Sequence, residues 1–247
     1  MASPLIGSKV LVESPGARQL HQTGLEFEKD GEHDNAHESF AAAVDILTGL
    51  PETLDTNVQW ARILRDDGFT YVRSAIKNED EIDLYRARNV LSDACRKTFL
   101  EILKAGNTSP GPEIPLLVSK EQKRELNAEH GVTLSLIGRL ATVKEIMTGK
   151  KDKDDPPART YGVAHNFLTD GNNGYYRVSN ALVAARQERI NQNTSGMAVW
   201  ESQVAIGLAW TALRDPGNLI RSIETIGNRE LDLRSYSAAK KSVITKP

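Results

Sequence analysis

The stretch Leu20–Ala43, LHQTGLEFEKDGEHDNAHESFAAA, constrains the fold more than any other part of the chain. Gly24 is followed three residues on by Phe27, and the polar turn Asp30-Gly31 interrupts the pattern. Ala36, Phe40 and Ala43 then recur at steps of four and three. Small residues where two backbones approach, with aromatics filling the space between, describe two short helices packed as a hairpin. Such a pair cannot bury its apolar face alone, so it predicts neighbours of the same kind.

The rest of the chain can supply them. Its 247 residues suffice for a sizeable core, as one elongated domain or two small ones. An apolar content of 39% with 26% charged residues carries none of the bias that marks a disordered chain. The 31 basic and 33 acidic residues leave a net charge of −2, without the basic excess that a nucleic-acid or membrane surface would require. Cys95 is the only cysteine, so the chain forms no internal disulfide and a reducing, cytoplasmic setting is expected. The first residues, MASPLIGSKVLVESPG, lack the basic start and longer apolar run of a signal peptide. No segment approaches the about 18 continuous apolar residues of a membrane span. Asn107-Thr108-Ser109 and Asn193-Thr194-Ser195 match the glycosylation pattern, which a cytosolic protein would not use.

Apolar residues recur at helical spacing almost throughout, and no period-two run appears. The pattern predicts helices over about 16–30 and 33–49, then 54–77 and 80–104, where Gly68, Tyr71, Ala87, Leu91 and Ala94 repeat the packing spacing. GNTSPGPEIP, with a glycine and three prolines after Gly106, breaks the chain as a loop over 106–116. Helical pattern resumes over about 117–147, read as two helices with a break at His130-Gly131. After the charged loop KKDKDDPP, helices over about 158–170 and 174–191 form one expected pair, and 196–213 with 217–226 another. Gly162, His165, Gly174, Val178 and Ala181 carry the spacing in the first of these, and Gly207, Trp210, Leu219, Ile223 and Ile226 in the second. A capping helix over 229–241 completes about ten helices. The expected organisation is a flexible segment 1–15, repeats over 16–105, the loop, further repeats and a cap over 117–241, and a tail 242–247.

These spacings resemble the tetratricopeptide repeat family, whose unit is a helix–turn–helix with small and aromatic residues on its first helix. The family repeats about every 34 residues, whereas Gly24 to Gly68 and Gly162 to Gly207 are each about 45 apart. The resemblance implies an all-α fold, a right-handed α-solenoid of antiparallel helix pairs, with an irregular helical bundle as the alternative. It also implies a non-enzymatic interaction scaffold, without cofactor or metal, whose first helices line a groove for a peptide or partner protein. The groove positions that match the family's carboxylate-clamping residues are His21, Leu25, Arg65 and Phe69. Asparagine is absent there, so a carboxylate clamp is not supported.

Within the helix 54–77, Arg62, Arg65, Phe69 and Arg73 share one face, opposite Leu64, Gly68, Tyr71 and Ala75. Guanidinium groups beside an aromatic ring suit an acidic or phosphorylated peptide, through bidentate hydrogen bonds and stacking. Arg159 and Asn166 are the expected counterparts in the later repeat. Other patterns compete with this reading. His33 and His37 are one helical turn apart, a spacing at which a metal can be shared, but no third ligand is nearby in sequence. Arg159 and His165, in RTYGVAH, are loosely similar to the signature of HEPN-class helical ribonucleases, an alternative in which His165 does acid–base work and Arg159 holds phosphate. Asp170 to Gly174 is oxygen-rich like a calcium loop but lacks the later glutamate. The chain contains no phosphate-binding P-loop, dinucleotide glycine motif or nucleophile elbow.

Overall fold

The computed structural model describes residues 13–106, 118–149, 157–171 and 174–214. The described residues are helical, without a strand, and form eight helices. These are α1 (Pro15–Asp30), α2 (His33–Thr48), α3 (Leu54–Asn78), α4 (Glu81–Gly106), α5 (Lys120–Thr148), α6 (Pro157–Asp170), α7 (Gly174–Ile190) and α8 (Thr194–Arg214). The chain divides into two compact units between Asn172 and Asn173, the first holding α1 to α6 and the second α7 and α8. The expected helices over 217–226 and 229–241, the tail, the loop at 107–116 and most of the segment 1–15 lie outside the described residues.

Local chemistry sets the helix ends. Gly31, at φ 80°, takes the left-handed conformation that closes α1, and the Gly31 and Glu32 N–H groups donate to the carbonyls of Glu28 and Phe27. Thr53 and Thr56 form a reciprocal capping box at the start of α3, and Ser119 and Gln122 do the same for α5.

In the first unit, packing follows chain order. α1 pairs with α2, α3 with α4 and α5 with α6, while α2 rests on α3 and α4 on α5. α3 also touches α1 on one side and α5 on the other. One core joins Ala17, Ala36, Phe40, Ala43, Leu47 and Ile63 across α1, α2 and α3. A second joins Val72, Ala75, Leu84, Ala87, Leu91 and Leu140 across α3, α4 and α5. Each core therefore spans a hairpin and the first helix of the next, as expected of units that cannot bury their apolar faces alone.

Each hairpin of the first unit closes on a glycine of its first helix. A Cβ at Gly24 would lie 2.5 Å from the Phe40 ring, and one at Gly68 would lie 2.6 Å from Leu91. In the third hairpin a Cβ at Gly131 would lie 2.8 Å from Leu168 Cγ, and one at Gly138 would lie 2.7 Å from the Tyr161 ring. Phe40, Leu91, Leu168 and Tyr161 are fully or almost fully buried, each contributing about 1.5–3 kcal/mol of apolar burial.

Two expectations are corrected here. The pattern over 117–147 is one unbroken helix, because Gly131 serves as the close-approach position for Leu168 and not as a terminus. The expected pairing of 158–170 with 174–191 is also replaced: α6 packs on α5, and α7 on α8. Ala164, Leu168 and Gly171 carry the four-then-three step of the third hairpin, and a Cβ at Gly171 would meet the Ala128 backbone at 2.5 Å. Gly162 has open space around its Cβ position, so it closes no contact. Gly207 does close one, against Val178 of α7, where a Cβ would lie 2.8 Å away.

Candidate functional site

The first helices α1, α3 and α5 lie side by side, and α3 sits between the other two. The face of α3 that carries Arg62, Arg65, Phe69 and Arg73 is therefore flanked by α1 and α5, and both neighbours supply carboxylates. Arg62 spends all three guanidinium nitrogens: Nη1 on Glu13 at 2.8 Å, Nη2 on Glu125 at 2.5 Å and Nε on Glu129 at 3.0 Å. Arg65 holds Glu129 with Nη1 and Asp66 with Nε, the latter at 2.9 Å. Asp66 in turn meets His21 Nε2 of α1 at 2.9 Å. Arg73 pairs with Glu28 of α1. A continuous chain of charge thus runs from Glu13 and α5 through α3 to α1.

The electrostatics follow from this geometry. Burial works against the charged form of Arg62, but Glu129 and Glu125 outweigh it and raise its pKa above the ordinary value. Burial likewise works against the Asp66 carboxylate, but Arg65 and His21 overcome it and hold the group at about 2. Arg62 and Arg65 side chains are only 19% and 12% exposed, so they act as cross-links among three helices. That corrects their expected place as open contacts for an acidic ligand. Arg73 is half exposed and Phe69 half buried, so these two remain accessible on the face.

Arg159 and Asn166 are exposed on α6, as the sequence pattern suggests, but α6 is the second helix of its hairpin. They are not counterparts of Arg65 and Phe69, and the structure does not bring the two sets together. Arg159 and His165, six residues apart on one helix, point about 120° away from each other. One is exposed and the other half buried.

His33 and His37 have different partners. His37 Nδ1 meets Asp67 at 2.5 Å, and its ring stacks on Tyr71 with centroids 3.7 Å apart. His33 has a lowered pKa, through burial first and then the cations Lys77 and Arg73, with Glu28 acting in the opposite direction. Among the described residues no three or more His, Cys, Asp or Glu side chains are grouped to hold a metal.

One cluster escaped the sequence pattern. His130 Nδ1 shares a 2.7 Å hydrogen bond with the Thr98 hydroxyl and lies 3.9 Å from Cys95 Sγ, with Phe167 edge-on to its ring. Burial lowers His130 to about 4 and raises Cys95 to about 11. At neutral pH the pair is imidazole and thiol, not the imidazolium and thiolate of a nucleophilic cysteine. The buried His130 is a core residue joining α4, α5 and α6. The composition of neither helix marks it, since its partners come from different parts of the chain.

No protein-family model matches this chain, and no curated protein matches it either. Among the described residues no helix is long and apolar enough to cross a membrane.

Proposed function

We propose that the chain is a helical-repeat scaffold, a tetratricopeptide-like solenoid that binds a segment of another protein and performs no catalysis. The observation that carries this reading is the recurrence of one contact in three successive hairpins: Gly24 on Phe40, Gly68 on Leu91 and Gly131 on Leu168. With it comes the adjacency of the first helices α1, α3 and α5, the arrangement that lines a groove in stacked helix pairs. The cytoplasmic setting expected from the lone cysteine belongs to the same proposal.

The ligand chemistry is narrower than the sequence pattern alone implies. The groove face carries the guanidinium groups of Arg62, Arg65 and Arg73 against the carboxylates of Glu13, Glu28, Asp66, Glu125 and Glu129, so positive charge is not in surplus there. A bound segment would be anchored by an apolar side chain on Phe69, with Arg73 beside it for a carbonyl or carboxylate. The test is selection from a displayed peptide library, followed by titration of the selected peptides against the wild-type chain and the Phe69→Ala, Arg73→Ala double variant. The proposal predicts at least tenfold weaker binding by the variant. Peptides that bind both proteins equally, or no selected peptide at all, would contradict the groove.

A further inference from the structure

The outer face of α8 is exposed and apolar. Val199, Ile206 and Leu213 recur every seven residues and are 60%, 51% and 83% exposed. Ser195, Ser202 and Ala209 recur every seven residues beside them and are also exposed. Ala198, Ala205 and Ala212 complete the face. The only charged residues of the helix are Glu201, which lies 3.6 Å from Arg189 of α7, and Arg214 at its end. The opposite side, with Gly207 and Thr211 buried, packs on α7. An uncharged apolar seam about 27 Å long is therefore turned away from α7, the other described helix of its unit.

The seam has the two interlocking heptad rows of a two-helix interface, one row large and the other small. We propose that α8 pairs antiparallel with α8 of a second copy of this chain. The order of side chains selects both partner and direction. With two antiparallel copies centred level with Val204, Val199 faces Ala209 of the partner subunit, Ile206 faces Ser202 of the partner subunit, and Leu213 faces Ser195 of the partner subunit. Every large residue meets a small one, and the two-fold axis repeats each contact, so the surface is complementary to itself. A parallel pair would set Val199 on Val199 of the partner subunit and serine on serine, holding the helices apart at one level and leaving voids at the next. The Ser202 hydroxyl donates to the Ala198 carbonyl at 2.9 Å, so covering it orphans no donor. No charged group on the face selects a charged partner.

A seam one helix wide is a small interface, with dissociation expected on the order of tens of micromolar. Sedimentation velocity on the full chain across roughly that range should show a monomer–dimer equilibrium. Ile206→Glu should weaken it at least tenfold. Ala209→Leu should weaken it as well, although it adds apolar surface, because the new side chain collides with Val199 of the partner subunit. These positions are exposed in the single chain, so circular dichroism should be unchanged; if Ile206→Glu fails to fold, Leu213→Glu gives the same readout. A chain that stays monomeric well above that range, whether because another part of the chain covers α8 or because nothing does, overturns the proposal. So does a dimer that Ile206→Glu leaves intact, or one that Ala209→Leu strengthens.

Discussion

Helices α3 and α8 are both long and both carry an apolar pattern, but their surroundings treat them in opposite ways. α3 touches four other helices, and the charged face that reads in sequence as its free surface is knitted to Glu13, Glu28, Glu125 and Glu129. α8 packs on α7 within its unit, and its opposite face is exposed and without a charged side chain among the described residues. A row of arginines on one helix face is thus no measure of how open that face is. What decides is whether the neighbouring helices bring carboxylates to it, and that is a property of the stack, not of the helix.

The comparison can be broken most severely through the core contacts that position α3 and α5. Leu91→Ala and Leu168→Ala each leave a cavity beside a glycine that cannot fill it, and should cost about 2–5 kcal/mol by denaturant unfolding. Losses below about 1 kcal/mol would mean that these hairpins do not close as described.

Acid should act next. The folded pKa of His130, about 4, lies below the ordinary 6.5, so the unfolded chain binds the proton first as pH falls. Its contribution to stability is fully present above pH 6.5 and is lost as the pH falls from 6.5 to 4, by up to about 3 kcal/mol. Unfolding free energies measured across that window should show this slope, and His130→Gln should flatten it. Asp66 adds a later loss: its folded pKa is depressed, so its contribution persists above about 3.8 and disappears as pH falls through about 2.

The charge network of α3 should give a smaller effect. Arg62→Ala leaves Glu125 and Glu129 one turn apart without their shared counter-ion, at a cost of about 1–3 kcal/mol. Arg73→Ala, at a half-exposed pair, should cost less than about 1 kcal/mol. Equal effects at the two positions would remove the distinction between a cross-link and an open contact on the same face.

Helix positions were legible in the sequence because their signals are local. The four-then-three step at Ala36, Phe40 and Ala43, the turn at Asp30-Gly31 and the proline-rich breaks all act within a few residues. Helix pairing was legible only where hairpins are short. Gly24 and Phe40 stand close in sequence, and so do Gly68 and Leu91, but Gly131 reaches Leu168 across the rest of a 29-residue helix and a loop. The nearer Gly162, at a similar spacing from Gly174, offered a local substitute that the fold does not use. The ion pairs on the candidate face were hidden for the same reason. Arg62 finds its α5 carboxylates 63 and 67 residues away, beyond any periodicity on α3.

The pairing of α5 with α6 is the claim on which the stack rests, and two glycines test it directly. Thermal unfolding of Gly131→Ala and Gly162→Ala should move in opposite directions. At Gly131 the added methyl group would meet the Leu168 side chain and backbone at 2.8–3.0 Å, costing about 1–3 kcal/mol. At Gly162 it enters open space within a helix and should stabilise by about 0.5–1 kcal/mol. If Gly162→Ala destabilises the protein while Gly131→Ala is neutral or stabilising, α6 pairs elsewhere and the account fails.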